Sequence, residues 1–231
     1  MLLIFDLDDT LYDESQYVAS GFNAVADYGE REWQLPKQKS LEELSFFLKL
    51  HGRGKIFDSW LIRNKIYSKI NVRKCVSCYR KHTPVIFLND AAKALLPTLS
   101  QPLYLVTDGN KIVQQKKIEA LNIKPLFKDT LITHRYGLHN AKPSVYCFEK
   151  IRQAEYSRWE DMCYIGDNPN KDFVNLNKLN MNTIRVLTGM FRNQEAKPGY
   201  DAQHTINNLH QLPKLLKELA HERRPAKNQY C

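Results

Sequence analysis

No apolar stretch of this chain approaches the roughly 20 residues that a membrane-spanning helix needs. The amino-terminal run Leu2-Leu3-Ile4-Phe5 is too short for a signal peptide and meets Asp6 at once. Cysteine is scarce: five residues, an odd number, scattered without framework spacing. That pattern argues against a disulfide scaffold and for reduced thiols. Internal repeats and low-complexity segments are absent as well, which excludes solenoid architectures and compositionally biased tracts. These absences predict a soluble, cytoplasmic protein without a membrane partner. The rest of the composition is ordinary for a globular chain: 231 residues, 43% hydrophobic and 26% charged. A chain of this length buries a sizeable core without staples.

The formal net charge of +9 is unevenly placed. Residues 51–82 carry nine Lys or Arg against Asp58 alone, a local charge of +8. The stretch from Lys214 to Cys231 adds +3, so the remaining chain is close to neutral. A basic insert on a near-neutral body is a local device for attracting an anion or for staying solvated, with no bearing on fold.

The chemistry begins at Phe5-Asp6-Leu7-Asp8-Asp9-Thr10. Four apolar residues without helical spacing read as a buried strand of a parallel sheet. Such a strand delivers the residues after it to the carboxyl edge of the sheet, where open α/β folds place their ligands. Here it delivers Asp6 and Asp8, spaced i, i+2. At a frayed strand end that spacing lets both carboxylates reach one site, one as nucleophile and one as proton donor or acceptor. Further along, candidate strands 103–107, 130–133, 162–165, 183–187 and a weaker one at 203–206 alternate with helical stretches, the signature of a parallel sheet. A closing helix is marked by Leu209, Leu212, Leu215, Leu216 and Leu219, and residues 223–231 read as a flexible basic tail.

Between the first strand and the second lie about 70 residues that read as mostly helical. Asp13 with Gln16 resembles a capping box ahead of Val18, Phe22, Val25 and Ala26. Gln34-Leu35-Pro36-Lys37 breaks that helix, and Leu41, Leu44, Phe47 and Leu48 form a second stripe that ends at His51-Gly52-Arg53-Gly54. The spacing predicts a third helix capped by Asp58, with Ile62, Ile66 and Ile70 on one face and Lys65, Lys69 and Arg73 as a separate basic stripe. A fourth helix near Asp90 to Leu99 returns the chain to the sheet.

Three further signals stand at strand ends: Thr107-Asp108-Gly109-Asn110, Lys142-Pro143-Ser144, and Gly166-Asp167-Asn168-Pro169-Asn170-Lys171-Asp172. Together with Asp6-Leu7-Asp8-Asp9-Thr10, and in this order, they resemble the four motifs of the haloacid dehalogenase (HAD) superfamily. The resemblance covers residues 1–14 and about 84–190, and extends to Gln114, Lys117, Leu121, Ile123 and Phe148. Two departures are visible: Asp108 stands where many members have Asn, and Val145 where many have a second Pro.

The resemblance implies an α/β fold, a doubly wound parallel sheet of Rossmann type, with an α-helical cap inserted after the first motif. The core then comprises residues 1–14 and 84–222 and the cap residues 15–83, closing over the carboxyl edge. It implies a phosphoryl-transfer enzyme. Asp6 attacks phosphorus and carries an aspartyl phosphate, and Asp8 protonates the leaving alcohol and then activates water. Thr107, with backbone N–H groups at Asp108 and Gly109, holds a phosphoryl oxygen. Lys142 neutralises nucleophile and phosphate. Asp6, Asp167 and the Asp8 backbone carbonyl form the metal site, and Asp172, five residues on, completes it by binding a metal water or else orients Lys142. The implied metal is Mg²⁺, since it prefers oxygen ligands and no His–Cys cluster competes at these motifs.

The leading expectation is a magnesium-dependent phosphomonoesterase acting on a small phosphorylated metabolite, a sugar phosphate or a nucleotide. The Lys65, Lys69, Arg73 stripe is the candidate contact for an additional anionic group, with a solvated face as its plain alternative. A dehalogenase is disfavoured by Asp8, because a halide leaves without a proton. A phosphomutase of the same family, or a nucleic-acid-processing protein using the basic cap and tail, are the alternatives, with nucleic acid the less favoured partner. Cys75-Val76-Ser77-Cys78 followed by His82 resembles a zinc half-site, but no second Cys-x-x-Cys exists and cap-core cysteines are expected. Trp60, Tyr67 and Tyr79 are expected in the cap core, Gly52-Arg53-Gly54-Lys55 as a plain loop, and His134 and His139 without a role.

Overall fold

The run Leu2–Phe5 forms β1, buried along its whole length. In the computed structural model, which describes residues 1–222, it lies inside a six-stranded sheet. The tail expected over 223–231 lies outside the described residues. The other strands are β2 (Leu103–Thr107), β3 (Asp129–Ile132), β4 (Met162–Gly166), β5 (Asn182–Val186) and β6 (His204–Ile206). All pairs are parallel, in the order β3-β2-β1-β4-β5-β6. The chain therefore builds outward from β1 to β3 on one side, then returns to lay β4 against β1 and builds outward on the other. That reversal beside β1 is the topological switch point, where the carboxyl ends of neighbouring strands leave a crevice.

Register then fixes direction. Ile4 pairs with Tyr104 on one side and Tyr164 on the other. Since side chains alternate along a strand, Leu2 and Ile4 join Tyr104, Val106, Met162 and Tyr164 in one buried cluster with Phe148 and Phe173. The same alternation turns Asp6 toward that face, and its backbone N–H continues the ladder to the Ile165 carbonyl at 2.8 Å.

The described chain divides into two compact units: residues 1–13, 88–109 and 123–222, and residues 14–87 with 110–122. The first contains the sheet with α5 (Asp90–Leu95), α7 (Tyr146–Ala154), α8 (Val174–Asn177) and α9 (Leu212–Glu222). The second contains α1 (Glu14–Trp33), α2 (Lys37–His51), α3 (Ile56–Arg63), α4 (Lys69–Lys81) and α6 (Lys111–Ala120). Its core joins Val18, Phe22 and Val25 to Leu44, Phe47, Trp60, Leu61 and Cys75. The helix after the second motif thus groups with the cap helices, whereas the sequence boundaries placed it with the sheet. The reason is chemical. Lys117 of α6 is 2% exposed, sits 4.5 Å from the Tyr17 ring centroid and pairs with Glu14 at 3.3 Å. A buried ammonium needs such partners, and α1 supplies both.

Several sequence expectations for the cap are corrected. Asp58 caps nothing at the start of α3; it lies inside the helix, whose N-cap is Lys55. The single helix expected to carry Lys65, Lys69 and Arg73 is two helices. The first ends at Arg63, Lys65 takes φ +58°, and the second starts at Lys69. Ser68 caps that second start by accepting the Asn71 N–H, while the Asn71 side-chain amide donates to the Ile66 carbonyl. These local bonds outcompete continued helix. Ile62 and Ile70, expected to share one face with Ile66, are 59% and 63% exposed. Tyr67 is exposed too, whereas Trp60 is fully buried.

The cysteine pair falls in the cap as structure. Cys75 is buried, its thiol pushed up to about 12 by that burial. The Cys78 thiol donates to the Ala24 carbonyl, and His82 bonds the Tyr79 carbonyl and Ser20. His51 is stacked on Phe47. The protonated thiols and their existing partners argue against a zinc half-site.

Close packing of α1 on α4 depends on Gly21, where an added Cβ would fall 2.3 Å from a ring carbon of Tyr79. Gly21→Ala should therefore lower unfolding free energy by about 1–3 kcal/mol through overpacking. Urea denaturation reads this directly, and an unchanged midpoint would contradict the packing described.

Candidate active site

Asp6 follows β1, Thr107 ends β2, and Asp167 follows β4, so the first, second and fourth motifs meet at one edge of the sheet. Lys142 reaches them from the loop before α7. Its side chain is 1% exposed, and its Nζ lies 2.7 Å from Asp6 Oδ1 and 2.7 Å from Asp172 Oδ1. The same ammonium donates to the Tyr164 hydroxyl at 2.7 Å. Burial alone would depress the Lys142 pKa, but the charges of Asp172 and Asp6 outweigh it and hold the group protonated well above the ordinary lysine value.

The loop Asp167–Asp172 is closed on itself. The Asp172 N–H donates to the Asn168 carbonyl at 3.0 Å, and the Asn168 N–H donates back to Asp172 Oδ2 at 2.9 Å. This reciprocal pair turns the Asp172 carboxylate, 2% exposed, toward Lys142. The preceding residue has to be glycine: a Cβ on Gly166 would stand 2.6 Å from Asp172 Oδ2.

Asp6, Asp167 and Asp172 each offer an oxygen within 4.8 Å of the others, and all are buried. Burial raises the Asp6 pKa to about 7, against the pull of Lys142. Burial again, reinforced by the charges of Asp172, Asp6 and Asp9, raises Asp167 to about 9. One lysine therefore does not compensate three carboxylates, and without a cation Asp167 is the one that keeps its proton. A buried, all-oxygen, net-negative cluster fits a hard divalent cation, and Mg²⁺ is the common one for such sites.

Some of the site was not readable from motifs. Asp108 is a junction: its carboxylate accepts from Thr133 Oγ1 at 2.6 Å, from the Lys142 backbone N–H at 3.0 Å and from Lys171 Nζ at 2.9 Å. Burial works against that charge, but Lys142, Lys171 and the Thr133 hydroxyl prevail and hold its pKa below the usual carboxylate value. The Asp that departs from the family's usual Asn thus binds the second, third and fourth motif loops together, with Lys171 as its counter-ion. Tyr164 was also missed, although strand parity puts it on the face of Asp6. Thr107 is buried at its strand end, and Asp8 lies part-buried with Oδ1 accepting from the Tyr12 hydroxyl at 2.5 Å. Lys65, Lys69 and Arg73 belong to the cap unit, Lys65 in the turn before α4 and the other two one turn apart on it.

The carboxylate cluster makes stability depend on pH, with a definite sign. Asp6 and Asp167 have folded pKa values above their ordinary value of 3.8, so the metal-free folded state holds more protons than the unfolded one. The resulting stabilisation is complete at acid pH and is lost as pH rises through about 7 and about 9. The Tm of the metal-free protein should therefore fall between about pH 5 and pH 9, and Asp167→Asn should flatten the upper part of that fall. Parallel wild-type and variant curves would contradict the assigned charge clash.

The fold and this constellation have counterparts among known proteins. Residues 1–174 match the family of haloacid dehalogenase-like hydrolases, and residues 139–212 match a HAD-hydrolase-like family. A glyceraldehyde 3-phosphate phosphatase of Methanocaldococcus jannaschii is 28% identical over 231 aligned residues, covering 94% of this chain and 97% of its own. One of Pyrococcus furiosus is 26% identical, covering 93% and 92%. Among solved structures, YfnB of Bacillus subtilis, a HAD-hydrolase bound to magnesium, aligns with a TM-score of 0.64 at 20% identity, covering 93% of this chain and 97% of that one. A 2-haloacid dehalogenase of Pseudomonas syringae gives the same TM-score at 19% identity, covering 94% and 98%, so the likeness to these two structures speaks for fold alone. On its sequence, its sheet order and its four motifs, this chain belongs to the haloacid dehalogenase-like hydrolases.

Proposed function

We propose that the protein is a magnesium-dependent phosphomonoesterase that hydrolyses a small sugar phosphate through phosphorylation of Asp6. The observation that carries this reading is the buried Lys142 ammonium, 2.7 Å from both Asp6 and Asp172, beside a three-carboxylate cluster. A phosphate monoester brings two charges into its site, and its loose transition state needs charge neutralisation and alignment more than covalent assistance. The ammonium answers the phosphoryl charge, and the carboxylates answer a cation. Asp6, Asp167 and Asp172 would hold Mg²⁺, with the Asp8 carbonyl as a further oxygen. When bound, the ion neutralises charge on phosphate and nucleophile.

In this reading Asp6 attacks phosphorus, and Asp8 gives its proton to the departing alcohol and then takes one from water. Splitting hydrolysis into two displacements lowers each barrier. Lys142 holds the Asp6 carboxylate in place and favours its ionised form against burial, and Thr107 with the Asp108–Gly109 turn receives a phosphoryl oxygen. Asp108 sets the height of the Lys142 loop through its bond to the Lys142 N–H. Lys69 and Arg73 contribute to the basic field of the cap, which would draw an anion without choosing among anions. The names of the relatives, all glyceraldehyde 3-phosphate phosphatases, favour a triose phosphate as the first substrate to test, with nucleotides as the second class.

The purified protein should release phosphate from glyceraldehyde 3-phosphate with Mg²⁺, stop on chelation and resume when the metal is returned. Asp6→Asn should reduce kcat/KM by roughly a thousandfold or more, as for loss of a nucleophile. Activity within tenfold of wild type would contradict the phospho-Asp6 route. Phosphate returned to another position of the sugar, with none released, would favour a mutase instead.

A further inference from the structure

The first-motif loop contains a group that the family motifs do not assign. Tyr12 is fully buried, and its hydroxyl lies 2.5 Å from Asp8 Oδ1. The two residues also form an isolated backbone bridge. The loop around them is pinned: the Leu11 N–H donates to the Leu7 carbonyl at 3.0 Å, the Asn89 N–H to the Leu11 carbonyl at 2.9 Å, and the Asn89 side-chain amide to the Thr10 carbonyl at 3.1 Å. The phenol is thus offered to Asp8 from a fixed platform.

We propose that Tyr12 is a positioning residue for Asp8: by donating to Oδ1 it reserves Oδ2 as the oxygen that carries the proton delivered to the leaving group. A protonated carboxyl has one carbonyl-like oxygen that accepts and one hydroxyl oxygen that donates. A phenol donating to Oδ1 makes that atom the acceptor in both protonation states of Asp8, so the carboxyl group keeps one orientation through the cycle. The inference rests on the reading of Asp8 as the acid. In the step concerned, the Asp6 oxygen forms its bond to phosphorus while the ester P–O bond breaks. The electron pair of that bond goes to the alkoxide oxygen, which receives the proton from Asp8 Oδ2. In the second step water attacks phosphorus, its proton returns to Asp8, and the bond from phosphorus to the Asp6 oxygen breaks.

The need for an acid depends on the leaving group, which separates positioning from mere packing. An alkyl phosphate such as glycerol phosphate expels a basic alkoxide, whereas p-nitrophenyl phosphate expels a stable phenolate. The experiment measures kcat/KM on both substrates for wild type, Asp8→Asn, Tyr12→Phe and the double variant. Tyr12→Phe should lose on the order of tenfold or more on the alkyl substrate, part of the acid's usual 10²–10⁴-fold contribution, and under about threefold on p-nitrophenyl phosphate. In the Asp8→Asn background it should cost nothing further. Tyr12→Met, which fills the site without a hydroxyl, should repeat the selectivity, so that failure of one variant to fold leaves the other to be read. Equal losses on both substrates, or none, would overturn the role of Tyr12. An Asp8→Asn enzyme without leaving-group selectivity would overturn the acid reading itself, and the proposal with it.

Discussion

A protonated lysine buried between two carboxylates is the constraint around which this site is built. An isolated ammonium in so dry a place would lose its proton. Lys142 keeps it because Asp6 and Asp172 stand at 2.7 Å and the Tyr164 hydroxyl accepts a further hydrogen bond. The dependence runs the other way as well. Without the ammonium, three buried carboxylates would face one another with only a cation to separate them. Removing one partner of such a buried set costs far more than the set contributes as a whole, because it leaves the others uncompensated.

The sheet supplies this arrangement through its geometry. Parallel strands point their carboxyl ends the same way, so three consecutive neighbours, β2, β1 and β4, present the residues after Val106, Phe5 and Ile165 on one edge. Two loops then carry the fine adjustment. The Asn168–Asp172 turn aims Asp172 by two reciprocal bonds, one between backbones and one from the Asn168 N–H to the Asp172 carboxylate. Asp108 ties the Lys142 loop to Thr133 and Lys171. Loops provide the reacting groups while strands fix their origin, which is the usual division of labour on an α/β scaffold.

Much of this was legible in the sequence, for physical reasons that differ by element. The strands were visible because a buried parallel strand must be apolar on both faces. Leu2–Phe5, Leu103–Thr107 and Met162–Gly166 fall within a residue of their expected bounds. Asp6 and Asp167 were visible because charged residues close behind such runs are costly to bury unless they serve a site, whereas Lys142, in the loop between β3 and α7, was visible through the order of the motifs. The cap was harder. The spacing of Lys65, Lys69 and Arg73 is helical, yet Ser68 and Asn71 bond the backbone locally and start a new helix between them. Periodicity alone does not weigh a cap against a continuing helix. Tyr164, Lys171, Tyr12 and the side-chain role of Asp108 were silent for another reason. Their work consists of single hydrogen bonds that depend on the folded geometry, and no spacing in the chain announces them.

The central claim is that Asp6, paired with Lys142 at 2.7 Å, becomes covalently phosphorylated. The most direct measurement is rapid acid quenching during turnover of a phosphate-labelled substrate, then digestion and mass spectrometry of the labelled peptide. The account predicts label on the amino-terminal peptide at Asp6, discharged by hydroxylamine as an acyl phosphate is, and formed no more slowly than product appears. Sustained turnover with no label on that peptide, or label on a different residue, would contradict it.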